Sequence, residues 1–360
     1  MGTDNLEQAA PGTDRTGFLQ ALGCYLLWGV MPVYWKLLSA VPALEVLAWR
    51  MVWSAVAVVA LCVLVKRTRF LYLFRDPRAV RTFLASGLIV TCNWGVYVWA
   101  ANSGHLLETS IGYYLCPLCN IALGLIVFRE RLSPMQKLAT ALAAVGVGYF
   151  MVVHGGSIWI AFALAITFSV YGAVKKKGGY PALPGMAFES LLTGMLGAAA
   201  LAVGAVAPWV WQLTPATPDA IAVLSPAGDF ALLIGCGILT AIPLLLYSAA
   251  ANRVSMTVLG FIQYVSPTIA LVLAVAFFGE QFTLAHGVCF ALIWAGIAAV
   301  GVEAALGKRK TAGAGMRAAA RADAGAAGGG AGACAAVTAA AAASAEASGR
   351  GVAEGKASAR

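Results

Sequence analysis

Apolar residues run in long stretches, cut by polar punctuation into ten segments. They cover about 17–38, 44–65, 82–102, 104–128, 137–153, 157–174, 185–208, 227–250, 256–278 and 284–306. A helix crossing roughly 30 Å of hydrocarbon needs about 20 apolar residues, within a range of about 17–25. The pattern therefore predicts ten membrane-spanning helices, with ends uncertain by about a turn where the joints are short.

The pattern also repeats. A shift of 150 residues lays Pro117–Gly148 over Pro267–Ala298 without gaps, pairing Pro117 with Pro267, Phe128 with Phe278, Glu130 with Glu280 and Gly146 with Gly296. The same shift pairs Gly87 with Gly237, Tyr97 with Tyr247 and Ala101-Asn102 with Ala251-Asn252. A fixed offset over two separate blocks marks a duplication. Each copy holds five spans, an odd number, so the second enters from the opposite side. The predicted fold is an all-α polytopic membrane protein, ten transmembrane helices as a 5+5 inverted repeat about an axis in the membrane plane. The boundaries are 17–153 and 154–306.

Composition agrees. The chain is 61% apolar and 11% charged, against about 25% charged in soluble domains. The net charge of +9 comes from short clusters between the spans. Lys66, Arg67, Arg69, Arg75, Arg78 and Arg81 follow span 2, Arg129, Arg131 and Lys137 span 4, and Lys175, Lys176 and Lys177 span 6. Arg253 follows span 8, and Lys308, Arg309 and Lys310 span 10. The alternate loops carry no Lys or Arg. This is the positive-inside pattern, not a nucleic-acid stripe, and it puts both termini in the cytoplasm. Residues 1–16 lack the basic region of a cleavable signal and are expected to be disordered, as is the Ala/Gly-rich tail 307–360.

Ionisable groups within spans are functional candidates, because lipid penalises them. Lys36 ends span 1, Glu45 opens span 2, and Arg50 lies about 7.5 Å deeper at 1.5 Å per residue. Lys36 and Glu45 can meet across the 39–43 turn. Arg50 needs a partner from another helix, and Glu108 in span 4 is the expected one. Lys175 and Glu189 hold similar places in the second copy. Snorkelling or a structural ion pair is the competing reading.

Prolines interrupt four spans. Pro117 and Pro267 leave the carbonyls of Tyr113 and Gln263 without a helical donor, and Pro32 and Pro243 do so for Trp28 and Leu239. Such carbonyls at mid-depth need protein, water or ligand, so the four prolines are candidate hinges, with packing kinks the alternative. Around them cluster Asn93, Tyr97, Tyr113, Asn120, Tyr247, Gln263 and Tyr264, polar and aromatic groups suited to a small amphipathic or aromatic solute. Each aromatic taken alone could serve packing or the interface belt instead.

Other chemistry is weakly represented. Cys116-x-x-Cys119 is a lone CxxC in an apolar helix, and His105, His154 and His286 show no ligand spacing, so no metal or other cofactor is expected. No phosphate-binding loop marks ATP use. A membrane-embedded enzyme acting on lipid or isoprenoid substrates is the alternative, but no His, Asp or Ser cluster at one depth supports it.

Several motifs resemble one family. Tyr25-x-x-Trp28-Gly29-x-x-Pro32-x-Tyr34-x-Lys36, Arg50-x-x-Trp53-Ser54, Asn93-Trp94, Glu108-Thr-Ser-Ile-Gly112-Tyr113, Phe168-Ser169-x-Tyr171-Gly172 and Gln263-Tyr264-x-x-Pro267 are similar to the RarD proteins. These belong to the EamA group of the drug/metabolite transporter superfamily. Trp49 replaces a frequent His, and Lys175 a frequent Arg. The resemblance implies a permease of the cytoplasmic membrane that moves a small-molecule solute among membrane lipids, more plausibly outward than inward. Proton coupling through Glu45, Glu108 or Glu189, and a homodimer, stay open.

Overall fold

The computed structural model describes residues 14–65, 68–103, 105–155, 157–213, 226–279 and 281–303. Of the segment 1–16 expected to be disordered, 1–13 lies outside these residues, as does the tail, whereas Arg15 and Thr16 open the first helix. The described residues up to Ile297 form one compact unit.

Among the described residues, ten helices are long and apolar enough to span a membrane. They are α1 (Arg15–Leu37), α2 (Ala43–Leu64), α3 (Pro77–Asn102), α4 (Leu106–Ile126) and α5 (Pro134–His154) in the first copy. The second copy has α6 (Ile158–Gly178), α7 (Ala182–Val206) and α8 (Pro226–Ala251). Its fourth span is two helices, α9 (Met256–Gln263) and α10 (Val265–Phe278), and α11 (Leu284–Glu303) completes it. All ten expected segments are present, with ends within about a turn except at the head of α3, where Pro77 opens the helix ahead of the expected residue 82.

Local chemistry sets these ends. Asp14 accepts from Thr16 N at the head of α1, and Asp76 from Arg78 N at the head of α3, where Pro77 occupies a position that needs no donor. Ser133 and Gln136 form a reciprocal capping box on α5. Gly179 and Gly279 end α6 and α10 in left-handed backbone, which only glycine adopts without strain. Outward faces are apolar, as Ile126, Val152, Val206 and Leu284 illustrate, which suits contact with acyl chains.

The two copies are antiparallel. A Cβ added to Gly146 in α5 would stand 3.1 Å from the Cys289 carbonyl oxygen of α11, and one added to Gly296 would stand 2.8 Å from Ala139 Cα. Residues 139 and 146 plus 150 are 289 and 296, so each contact is the image of the other. As α5 rises from 139 to 146, α11 falls from 296 to 289. That order requires an inverted repeat, with the two-fold axis passing between the crossed glycines. The remaining packing follows the same axis: α3 lies on α6 as α8 lies on α1, and α2 lies on its own counterpart α7.

The fourth spans differ between the copies. α4 runs unbroken through Pro117. Its counterpart is interrupted at Tyr264, whose backbone stays right-handed helical (φ −60°, ψ −16°), so Met256–Phe277 remains one span with Pro267 inside it. The interruption lies where Pro267, lacking an N–H, leaves the Gln263 carbonyl without its helical donor.

Candidate functional site

The buried polar residues lie along the seam between the copies, at three levels. At the level of the prolines, Asn120 Nδ2 in α4 donates to Gln263 Oε1 at the end of α9 at 2.6 Å. Both side chains are buried, and Asn120 Oδ1 has no partner among the described residues. One copy supplies each half of the bond. Close by, Ser169 Oγ donates to the Cys116 carbonyl at 3.2 Å.

Towards the end of the bundle that carries the basic loops, Lys175 and Glu189 form an ion pair at 3.2 Å, each almost wholly buried. Tyr171 OH donates to Glu189 Oε1 at 3.0 Å, Lys175 Nζ donates to Tyr171 OH at 3.2 Å, and Ser86 Oγ also bonds the carboxylate. The sequence foresaw the depth of Lys175 and Glu189 but not Ser86 and Tyr171. The network ties α3, α6 and α7 together. Beside it Tyr171 stacks on Tyr247 with centroids 6.0 Å apart, and Tyr25, Trp28 and Phe168 complete an aromatic cluster. The Tyr25 and Tyr247 hydroxyls are buried without partners among the described residues. Each such group costs about 1–3 kcal/mol.

Towards the opposite end, Arg50 lies on the inner face of α2. Its guanidinium carbon is 4.3 Å from the centroid of the Trp94 ring and 5.5 Å from that of Trp35. The rings of Tyr97 and Tyr113 lie with centroids 6.0 Å apart, and both phenols are close enough to act on its charge. Nε is buried and has no hydrogen-bond partner among the described residues. Arg50 as a whole is half-buried, and each indole face returns about 2 kcal/mol or more to a desolvated cation, against several kcal/mol for taking an ion wholly out of water. Aromatic contact leaves the guanidinium's N–H groups without an acid partner among the described residues.

Glu108 is not the partner expected for Arg50. Its carboxylate accepts from Ser157 N at 3.2 Å, at the head of α6, and lies 3.1 Å from His105 Nδ1. A helix N-terminus offers unpaired N–H groups and a positive partial charge, and these hold Glu108 where it opens α4. Among the described residues, no carboxylate pairs with Arg50.

The other expected site residues divide. Tyr97 and Tyr113 lie near Arg50, and Tyr113 is 50% exposed. Asn93 donates to the Leu164 carbonyl at 2.9 Å and to Thr167 Oγ1 at 2.8 Å, clamping α3 to α6. Tyr264 is buried among α4, α5 and α11 side chains, its hydroxyl without a partner among the described residues. Lys36 and Glu45 are half-buried on either side of the turn between α1 and α2. Of the expected hinges, Pro32, Pro117 and Pro243 lie inside helices.

One residue had no role assigned from sequence. Glu130, just past α4, accepts from Met256 N at 2.8 Å, Thr257 N at 2.9 Å and Thr257 Oγ1 at 2.7 Å. The first copy thereby caps the opening of α9 in the second. Its repetition as Glu280 was the available signal, though Glu280 lies outside the described residues. At the same end Lys176 donates to the Ala251 and Val254 carbonyls, so its charge caps the end of α8. No group of His, Cys, Asp and Glu among the described residues could hold a metal ion.

Comparison with known proteins follows the two copies. The EamA-like transporter family matches residues 15–152 and again 155–302. An uncharacterized transporter of Pseudomonas aeruginosa is 37% identical over 81% of this chain and 94% of its own. Protein RarD of Escherichia coli is 37% identical over 82% of this chain and 97% of its own. Protein RarD of Streptomyces exfoliatus is 36% identical over 80% and 89%. A solved crystal structure superposes with a TM-score of 0.60 at 19% identity, covering 79% of this chain and 96% of that one. That last likeness concerns the fold.

Proposed function

The chain belongs to the EamA-like transporter family, which makes it a multi-pass membrane transporter and not an enzyme, and from that premise we propose that it is a secondary active exporter of a small amphipathic solute. The two copies rock about their shared seam, so that a site between them opens to one side and then the other. The Asn120–Gln263 bond carries this reading, since it places polar groups from both copies opposite one another at the level of the prolines. The break at Tyr264 supplies a place where the second copy can flex. The basic loops lie on the cytoplasmic side, with both termini.

Reconstitution tests it. Proteoliposomes loaded with a metabolite extract of the host should exchange one or a few solutes by counterflow, and cells lacking the gene should retain those solutes. Absence of counterflow for every solute would overturn the transporter reading at the level of mechanism. A pH gradient across the liposomes, changing the rate or leaving it alone, decides proton coupling.

A further inference from the structure

We propose that Arg50 recognises the anionic group of the transported solute, and that this solute is a small organic acid: one carboxylate on an aromatic or alkyl body. The inference rests on the transporter reading above and names its substrate class.

The geometry leaves little else for this residue to bind. Trp94 and Trp35 lie against the guanidinium. A planar guanidinium stacked in this way keeps its N–H donors at its edge, in the fork that a carboxylate fits with two parallel hydrogen bonds. Nε is buried and unbonded among the described residues, while the residue as a whole is half-buried, so a ligand arrives at the terminal N–H groups of that edge. The acid expected to meet it, Glu108, is held at the head of α6. The buried cation nearer the basic end, Lys175, is neutralised by Glu189. A charge left in this state inside a membrane protein is resolved by an incoming anion or by water. The surroundings choose the rest of the ligand. Half of Tyr113 is accessible, its ring packs with that of Tyr97, and both phenols lie close to the guanidinium. Indole and phenol walls favour an apolar body, and a single guanidinium suits a monoanion better than a phosphate dianion.

The test uses the full-length protein in nanodiscs and two radiolabelled probes, 3-phenylpropionate and its uncharged amide, by equilibrium binding. The acid should bind saturably and at least about tenfold more tightly than the amide, the ratio expected for one charge-assisted bidentate pair. Arg50→Gln should erase that preference, and Arg50→Lys, which keeps charge but loses the fork, should retain part of it. Equal binding of acid and amide would mean that water satisfies the guanidinium, and overturns the proposal. Binding of neither probe, or a preference that survives Arg50→Gln, overturns it as well. The comparison of probes on unaltered protein stands even if the Gln variant misfolds. Counterflow is scored separately: a protein that exchanges solutes but ignores the acid is a transporter without this site, and one that exchanges none fails the earlier reading.

Discussion

Asn120 donates to Gln263 across the seam at 2.6 Å, and the repeat gives this bond no twin. The shift of 150 residues puts Ala270 opposite Asn120 and Tyr113 opposite Gln263. The two halves are thus latched on one side only. Asn120→Ala strands the buried Gln263 oxygen and should cost about 1–3 kcal/mol of stability, while the double change to Ala should cost less than the sum of the single ones. Thermal unfolding of the purified protein in detergent completes that double-mutant cycle; additive losses would remove the latch.

The ion pair of Lys175 and Glu189 gives a sharper contrast. Removing one partner, as in Lys175→Met, leaves an uncompensated buried charge and should cost about 3–5 kcal/mol. Replacing both with Met and Leu should restore most of that stability, because the pair also carried its own desolvation penalty. If the double variant melts as low as the single one, the pair does more than balance charge.

Glu130 offers a test of communication between the copies. Glu130→Ala loses three hydrogen bonds at the opening of α9 and should lower stability by about 1–3 kcal/mol. Hydrogen exchange should rise at Met256 and Thr257 and stay unchanged in α2. A uniform rise would mean global loosening instead of a lost cap.

Gly146 tests the inverted architecture. Its missing side chain lets the Cys289 carbonyl approach. Gly146→Leu should abolish a monodisperse folded species, and Gly296→Leu, its image, should do the same. The equal bulk at Gly148, where an added Cβ would meet nothing within 4 Å, should be tolerated, as size-exclusion profiles will show.

The exposed pair of Asp14 and Arg253, 2.9 Å apart, titrates outside the spans. The hydrogen bond from Arg253 holds the Asp14 carboxyl below its ordinary 3.8. A depressed acid contributes stability above its unfolded value and loses it as pH falls through the folded one. The melting difference between wild type and Asp14→Asn should therefore be flat from about pH 5 to 8 and vanish below the lowered value. Solvent exposure keeps the effect small. A difference that grows on acidification would reverse the assignment.

The sequence carried much of this because its signals were periodic or costly. Span ends follow from apolar length, and Asp14, Ser133 and Gly179 mark helix ends by chemistry that acts within one turn. Arg50, Lys175 and Glu189 stood out because lipid penalises charge. Which charge meets which was not legible. Glu108 opens α4 whereas Arg50 lies seven residues into α2, the rotation of each helix about its axis is undetermined from sequence, and the N-terminus of α6 competes for the carboxylate. Ser86 and Tyr171 looked like ordinary small and aromatic residues until α3 and α7 came together. The interruption at Tyr264 follows from Pro267, but that α4 would run unbroken through Pro117 was not legible, because the two prolines match in sequence while their surroundings do not.

The crossing of α5 and α11 has a consequence for origins. Its surface is complementary to its own copy, so a five-helix ancestor inserted in both orientations would bury the same glycine face against another molecule of itself. Joining two such chains end to end fixes the partner at a high effective concentration and frees pairing from dependence on expression level. Once joined, each half was free to drift, and the Asn120 latch, present on one side only, is what such drift leaves behind.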